Sequence, residues 1–126
     1  MTELEIFLMR KRLRLTGQQA AFLAALVEAP DGRVSRERME EIIRSVRRVR
    51  REHAADPGCT IKTVKCLVNR RLPPNCGAQI ETACGPGKHG GAPTIGYVLP
   101  PEGRAFVLQA ISEAQRSYAS NMGVRA

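Results

Sequence analysis

Five stretches rich in proline, glycine or turn-forming residues interrupt this 126-residue chain and limit the length of every helix or strand between them. They occupy residues 30–32, 54–58, 73–75, 85–93 and 100–101. Proline removes a backbone donor and clashes with the preceding helical turn, whereas glycine and aspartate favour turns. The segments between the breaks are therefore short, and each must bury one face against its neighbours. A chain of this length is sufficient for one domain.

Helical spacing of apolar residues predicts three helices, over residues 16–29, 36–53 and 60–72. Thr16 is a suitable N-cap for the first, and Ser35 for the second. The inner face of the third helix consists of Ile61, Val64, Val68 and Leu72. Only a short strand, at 33–34, fits between the first two helices.

The segment before Thr16 is ambiguous. Thr2 and Glu5 have the spacing of a capping box, which favours a helix over 2–12. A strand through residues 6–9 fits almost as well. Alternation of leucine and arginine at 12–15 predicts a brief strand leading into the helix that begins at Thr16.

The chain after residue 75 changes from helical to strand-like patterning. Residues 78–84 and 94–99 are predicted strands, and the nine residues between them are rich in glycine and proline. This pattern predicts a β-hairpin with a long tip. A final amphipathic helix is predicted over 102–119.

Positive charge is concentrated in the middle of the chain. The whole sequence has 20 Lys and Arg, 12 Asp and Glu and a formal net charge of +8; residues 33–72 alone hold twelve basic and five acidic residues. A concentrated basic zone is typical of proteins that bind polyanions. A solvated surface, or an acidic protein or membrane partner, is the alternative. Aromatic residues make up only 4% of the chain, which argues against stacking of single-stranded bases.

Three helices followed by a hairpin is the layout of a winged helix-turn-helix domain, an α+β fold. Because a DNA major groove admits one α-helix, the polar residues of the third helix are candidate base and phosphate contacts. These candidates are Thr60, Lys62, Thr63, Lys65, Asn69 and Arg70. At the hairpin tip, Lys88 and His89 are candidates for the minor groove or the phosphates. The outer face of the second helix adds Arg47, Arg48 and Arg51, which would contact phosphates or an acidic partner such as RNA polymerase.

Several short motifs together resemble the DNA-binding effector domains of the OmpR/PhoB type. The motifs are Leu13-x-Leu15-Thr16, Gly32-Arg33-Val34-Ser35-Arg36-Glu37, Thr63-Val64, Val68-x-Arg70, Ile80-Glu81-Thr82 and Gly96-Tyr97-Val98-Leu99. The resemblance implies a transcription regulator whose third helix recognises DNA and whose hairpin is the wing. It also implies polymerase contact between the second and third helices. Where the family has an Arg-Leu pair, this chain has Arg70-Arg71, so a local shift would bring Leu72 to the core.

The expected organisation is an N-terminal extension (1–12), a winged-helix DNA-binding domain (13–100) and a C-terminal helix and tail (101–126). We expect a stand-alone cytoplasmic regulator of bacterial or phage type, without a receiver domain. A protein-interaction winged helix and a phage DNA-packaging accessory protein are the alternatives. The terminal helices also offer a surface for a homodimer.

Catalytic and metal-binding patterns are weak. The cysteines at 59, 66, 76 and 84 form no C-x-x-C pair, and both histidines fall in predicted turns. We therefore expect no enzyme activity, no cofactor and no resident metal. No segment has the length and apolarity of a membrane span or signal core, so no membrane association is expected.

Overall fold

The computed structural model describes residues 1–46, 57–75, 77–84 and 94–121, apart from the side chains of residues 57–60 and 121. Within these residues the chain forms five helices and a three-stranded antiparallel sheet, so the predicted α+β class is confirmed. In chain order the elements are α1 (Glu3–Leu13), α2 (Gly17–Glu28), β1 (Arg33–Ser35), α3 (Arg36–Val46), α4 (Pro57–Asn69), β2 (Glu81–Cys84), β3 (Thr94–Val98) and α5 (Pro101–Asn121).

The ambiguous N-terminal segment is a helix, and the capping box at its start is complete. The Thr2 hydroxyl accepts from the backbone N–H of Glu5 at 3.1 Å, and the Glu5 carboxylate accepts from that of Thr2 at 3.0 Å. These hydrogen bonds satisfy donors that would otherwise lack partners in the first turn. They also hold the pKa of the Glu5 carboxyl below its ordinary value.

The brief strand predicted over residues 12–15 is wrong, because this segment closes α1. Arg14 adopts a left-handed conformation with φ 57°, and the Leu15 N–H donates back to the Arg10 carbonyl at 2.9 Å. The Arg10 side chain in turn donates to the Leu15 carbonyl at 3.2 Å. The alternation of leucine and arginine therefore marks a helix end in which Leu13 and Leu15 both reach the core.

The central helix of the core is α2, which begins at the predicted cap. The Thr16 hydroxyl accepts from the Gln19 N–H at 3.3 Å, and the Gln19 side chain accepts from the Thr16 N–H at 3.1 Å. The fully buried side chains along α2 are Phe22, Leu23 and Leu26. Helices α1, α3 and α4 pack around α2.

The sheet has the strand order β1-β3-β2. Tyr97 of the central strand β3 is opposite Val34 of β1 on one side and Thr82 of β2 on the other. The predicted first arm begins later than expected, at Glu81, although Ala78 is already buried before it. Strands β2 and β3 pair antiparallel, as the hairpin prediction requires; residues 85–93 at the predicted tip lie outside the described part of the chain.

Gly32 connects the end of α2 to the sheet. Its φ is +70°, and its carbonyl accepts from the Leu99 N–H at 2.8 Å. A Cβ atom at this position would lie 2.5 Å from the Leu99 carbonyl oxygen. The turn therefore requires glycine both for its left-handed backbone and for this close approach.

Both terminal helices belong to the same core as the central segment. Met9 of α1 and Val107 of α5 are fully buried members of the core cluster that includes Phe22. On the surface, Arg12 of α1 donates to Glu113 of α5 at 2.7 Å. Residues 1–12 and 101–121 are thus packed on the central segment. No helix in the described ranges has the length and apolarity needed to cross a bilayer.

The helix predicted over 36–53 begins at Arg36 as expected, whereas the helix predicted over 60–72 has different boundaries in the structure. The described part of α3 ends at Val46, and residues 47–56 lie outside the description. Helix α4 begins earlier than predicted, at Pro57, and ends earlier, at Asn69. Proline at the first position of a helix removes only a donor that has no intrahelical partner, so Pro57 starts a helix here instead of breaking one.

Candidate nucleic-acid interface

Helix α4 presents three different faces. Its inner face, Ile61, Val64 and Val68, is buried in the core as predicted. Its outer face is exposed to solvent and carries Lys62, Thr63, Cys66 and, just beyond the helix end, Arg70. The third face, with the half-buried Lys65 and Asn69, is turned towards the hairpin. The predicted site residues on α4 therefore separate into two groups.

Asn69 is bound to the strand segment that precedes β2. Its side-chain nitrogen donates to the Ile80 carbonyl at 3.1 Å, and its side-chain oxygen accepts from the Ile80 N–H at 2.7 Å. These are the same two amide atoms that would pair with an adenine edge. The geometry thus gives Asn69 a positioning role, which differs from the base contact predicted from sequence.

Lys65 makes the second link between α4 and the hairpin. Its ammonium group donates to the Thr82 hydroxyl at 2.7 Å, and the residue is half-buried. Asn69 and Lys65 are one helical turn apart, whereas Ile80 and Thr82 are two residues apart along the extended chain. The helix and the hairpin therefore run alongside each other.

Gln79 closes the C-terminal end of α4. Its side-chain nitrogen lies 2.9 Å from the Asn69 carbonyl oxygen, 3.3 Å from that of Leu72 and 2.8 Å from that of Pro73. Such side-chain donors satisfy the carbonyls that have no intrahelical partner at a helix end. The segment before β2 is consequently attached to α4 through several hydrogen bonds.

Leu72 is buried in the core, as predicted. After Asn69 the chain tightens, with the Arg71 N–H donating to the Val68 carbonyl at 2.9 Å and the Leu72 N–H to the Asn69 carbonyl at 3.2 Å. Leu72 contributes to the core at the end of this tighter turn, whereas Arg70 and Arg71 are exposed.

A concave site lies between α4 and the hairpin. It has a volume of about 250 Å³ and is lined by Lys62, Lys65, Cys66, Thr82, Thr94 and Tyr97. The Tyr97 ring packs edge-on against Phe22, with ring centroids 5.4 Å apart, and burial raises the pKa of its hydroxyl. The two lysines are site residues predicted from the sequence, whereas Cys66, Thr82, Thr94 and Tyr97 are not among the predicted ones. Cys66 follows Lys62 by four residues, so helical spacing places both on the same side of α4. No pattern within α4 shows which strand residues lie opposite that side.

Charge is balanced differently on α3 and α4. On α3, Arg36 donates to Glu40 at 3.1 Å and Arg38 donates to Glu41 at 3.2 Å. The hydrogen bond and charge of Glu40 raise the pKa of the Arg36 guanidinium. On α4, neither Lys62 nor Lys65 has a carboxylate within ion-pair distance among the described residues. The positive charge of α4 is therefore neutralised less by neighbouring carboxylates than the positive charge of α3.

Several predicted site residues are not covered by the description. The backbone of Thr60 lies in the first turn of α4, but its side chain is not described. Arg47, Arg48 and Arg51, together with Lys88 and His89 of the hairpin tip, lie outside the described residues altogether. Their roles stay predictions.

Two cysteine thiols lie in the described ranges. Cys66 on α4 and Cys84 on β2 are both exposed and unpaired. Within those ranges, no three His, Cys, Asp or Glu side chains are grouped closely enough to hold a metal ion.

Comparison with protein-family models, curated proteins and solved structures finds no match to this chain.

Proposed function

We propose that this protein is a winged-helix regulator of transcription that binds specific sequences in double-stranded DNA. In this proposal α4 is the recognition helix in the major groove, and the β2–β3 hairpin is a wing that reaches the adjacent minor groove. The order of elements supports it, since α2, α3 and α4 are followed by a hairpin whose strand β3 also pairs with β1.

The observation that carries the proposal is the uncompensated basic face of α4 beside an anchored hairpin. The hydrogen bonds from Lys65 to Thr82 and between Asn69 and Ile80 hold the helix and hairpin as one unit. A B-DNA major groove is about 12 Å wide and admits a single helix with its side chains. A rigidly attached hairpin would fix the orientation of that helix on the duplex.

The exposed residues of α4 would make the direct contacts. Lys62 and Arg70 carry charge on the outer face and would donate to guanine acceptors or to phosphates. Thr60 lies in the first turn of α4, where backbone amides favour phosphate oxygens, and the exposed Thr63 follows one turn later. Lys65 and Asn69 would act mainly by holding the hairpin in place.

Residues outside the described ranges complete the proposed interface. Lys88 and His89 would contact phosphates or the minor groove from the hairpin tip. Arg47, Arg48 and Arg51, which follow α3, would contact phosphates or RNA polymerase. A regulator that reads paired half-sites would bind as a homodimer.

Selection of duplexes from a random pool, carried out with the full chain at two salt concentrations, tests the proposal. We expect one enriched motif that persists at the higher salt, because base contacts specify sequence while phosphate contacts are salt-dependent. The variant Lys62→Ala/Arg70→Ala should lose the enrichment, whereas Lys11→Ala on α1 should keep it. Salt-sensitive binding without enrichment would indicate a packaging or architectural role. No duplex binding would leave the protein-interaction alternative.

A further inference from the structure

We propose that the site between α4 and the hairpin is a pocket for one phosphate group, with Lys65, Lys62 and Thr82 as its polar ligands. The phosphate would come either from a small phosphorylated molecule or from a nucleic-acid backbone. With the first source the inference is independent of duplex binding; with the second it rests on the proposed function.

The charge of the pocket favours an anion. Lys62 and Lys65 are among the six residues that line a volume of about 250 Å³, and none of the six is acidic. Lys65 is half-buried, and its one hydrogen-bond partner in the described part of the chain is the neutral Thr82 hydroxyl. Lys65 has no carboxylate partner in the described part of the chain, and an anion in the pocket would supply the counter-charge.

The hydrogen-bond directions favour a ligand made of acceptors. An ammonium group has three N–H donors, and Lys65 uses one of them on Thr82 at 2.7 Å. Because the Thr82 oxygen accepts this hydrogen bond, its own O–H proton is directed elsewhere. Thr94, on the paired strand, lines the same pocket. Polar residues of α4, β2 and β3 thus surround the site that would receive the phosphate oxygens.

The position of Lys65 is fixed before a ligand arrives. Its helix is attached to the hairpin through Asn69 one turn away, and the pocket floor contains Tyr97, which packs against the core residue Phe22. Preorganised donors lose little side-chain entropy on binding. This distinguishes the pocket from the fully exposed charges at Arg70 and Arg71.

Cys66 provides a readout within the pocket itself. Its exposed thiol lines the site, whereas the exposed thiol of Cys84 on β2 is not among the lining groups. The rate of alkylation of each cysteine by N-ethylmaleimide, followed by peptide mass spectrometry on the full chain, therefore compares a pocket residue with an internal control.

The experiment has three arms: inorganic phosphate, a nucleoside 5′-monophosphate and a short duplex, each matched to sodium chloride of equal ionic strength. At a ligand concentration about ten times the Kd, alkylation of Cys66 should slow roughly tenfold, because only the empty pocket reacts. Alkylation of Cys84 should not change. Lys65→Met should abolish the protection, Lys65→Arg should retain part of it, and Lys11→Met on α1 should leave it intact.

The outcomes separate the two sources. Protection by phosphate or by the nucleotide that is lost in Lys65→Met supports a small phosphorylated ligand. Protection by the duplex alone supports a backbone phosphate, if Lys65→Met loses it while still binding the duplex in a gel-shift assay. No protection in any arm, equal protection of both cysteines, or protection that persists in Lys65→Met would overturn the phosphate pocket. Because duplex binding is measured separately, such a result would not decide the proposed function.

Discussion

The side-chain amide of Asn69 and the backbone of Ile80 form a pair of hydrogen bonds, at 3.1 Å and 2.7 Å, that join α4 to the hairpin. A polar side chain on the helix predicted to recognise DNA therefore forms its hydrogen bonds within the protein. This distinguishes residues that would touch a duplex from residues that set the angle between helix and hairpin.

Asn69→Ala should lower the free energy of unfolding by about 1–3 kcal/mol, because it leaves the Ile80 N–H and carbonyl in a part-buried site without their partners. Urea denaturation followed by circular dichroism measures the change. Arg70→Ala is the matched control, since this exposed neighbour should alter stability by no more than about 0.5 kcal/mol. Unchanged stability in Asn69→Ala, together with an altered DNA sequence preference, would instead identify Asn69 as a base contact.

Gly32→Ala should be strongly destabilising, by about 2 kcal/mol or more, because the new Cβ would lie 2.5 Å from the Leu99 carbonyl oxygen at a residue with φ +70°. Gly17→Ala provides the comparison. Its Cβ would meet only Val46, at 3.7 Å, and alanine suits the helix that Gly17 begins. Thermal unfolding gives the melting temperatures of both variants. Similar melting temperatures would show that the turn at Gly32 accommodates a side chain.

Glu113 should make the stability depend on acid pH. Hydrogen bonds from Gln109 and then Arg12 hold the pKa of its carboxyl below the ordinary value, so the folded state favours the ionised form. The resulting stabilisation is complete above the ordinary pKa of a glutamate, near 4.3, and is lost as the pH falls through the lowered pKa. The unfolding free energies of the wild type and Glu113→Gln should therefore converge on acidification. A difference between them that is independent of pH would contradict this.

Much of the fold follows from local sequence signals. Thr16 and the apolar spacing after it predict α2, and the strand-like residues 94–99 after the glycine- and proline-rich segment predict β3. The errors arise where the closure of a helix end or packing against another segment overrides the local pattern. Leu15 continues an alternating pattern but lies at a helix end closed by Arg10, and Ala78 is buried without belonging to a strand. The hydrogen bond between Lys65 and Thr82 forms because the hairpin folds back on α4. No local sequence pattern predicts this packing.

Lys88→Ala should weaken binding to cognate and random duplexes by the same factor, because a hairpin-tip cation would neutralise a phosphate without reading a base. Fluorescence anisotropy with both duplexes measures the two affinities. A loss confined to the cognate duplex would instead place Lys88 in sequence recognition.

Lys62→Ala and Arg70→Ala test the proposed recognition face most directly. Lys62 is exposed on α4 and Arg70 is exposed directly after its last residue, and neither has a carboxylate partner in the described ranges, so their positive charges are available to a duplex. If a residue neutralises one phosphate, its alanine variant should reduce the slope of log affinity against log salt by about 0.9 on any duplex. If it reads a base, cognate binding should weaken by about 1–3 kcal/mol while random binding changes little.

Lys11→Ala is the control for net charge, because it also removes one exposed cation but lies on α1, over the Phe7 ring. Anisotropy titrations at four salt concentrations, on cognate and random duplexes, give the slope and the affinity for each variant. If Lys11→Ala lowers affinity as much as Lys62→Ala and Arg70→Ala, duplex binding depends on the overall charge, and α4 is not the recognition helix. If only the two α4 variants lose affinity, the face of α4 that carries them is the one that meets the DNA.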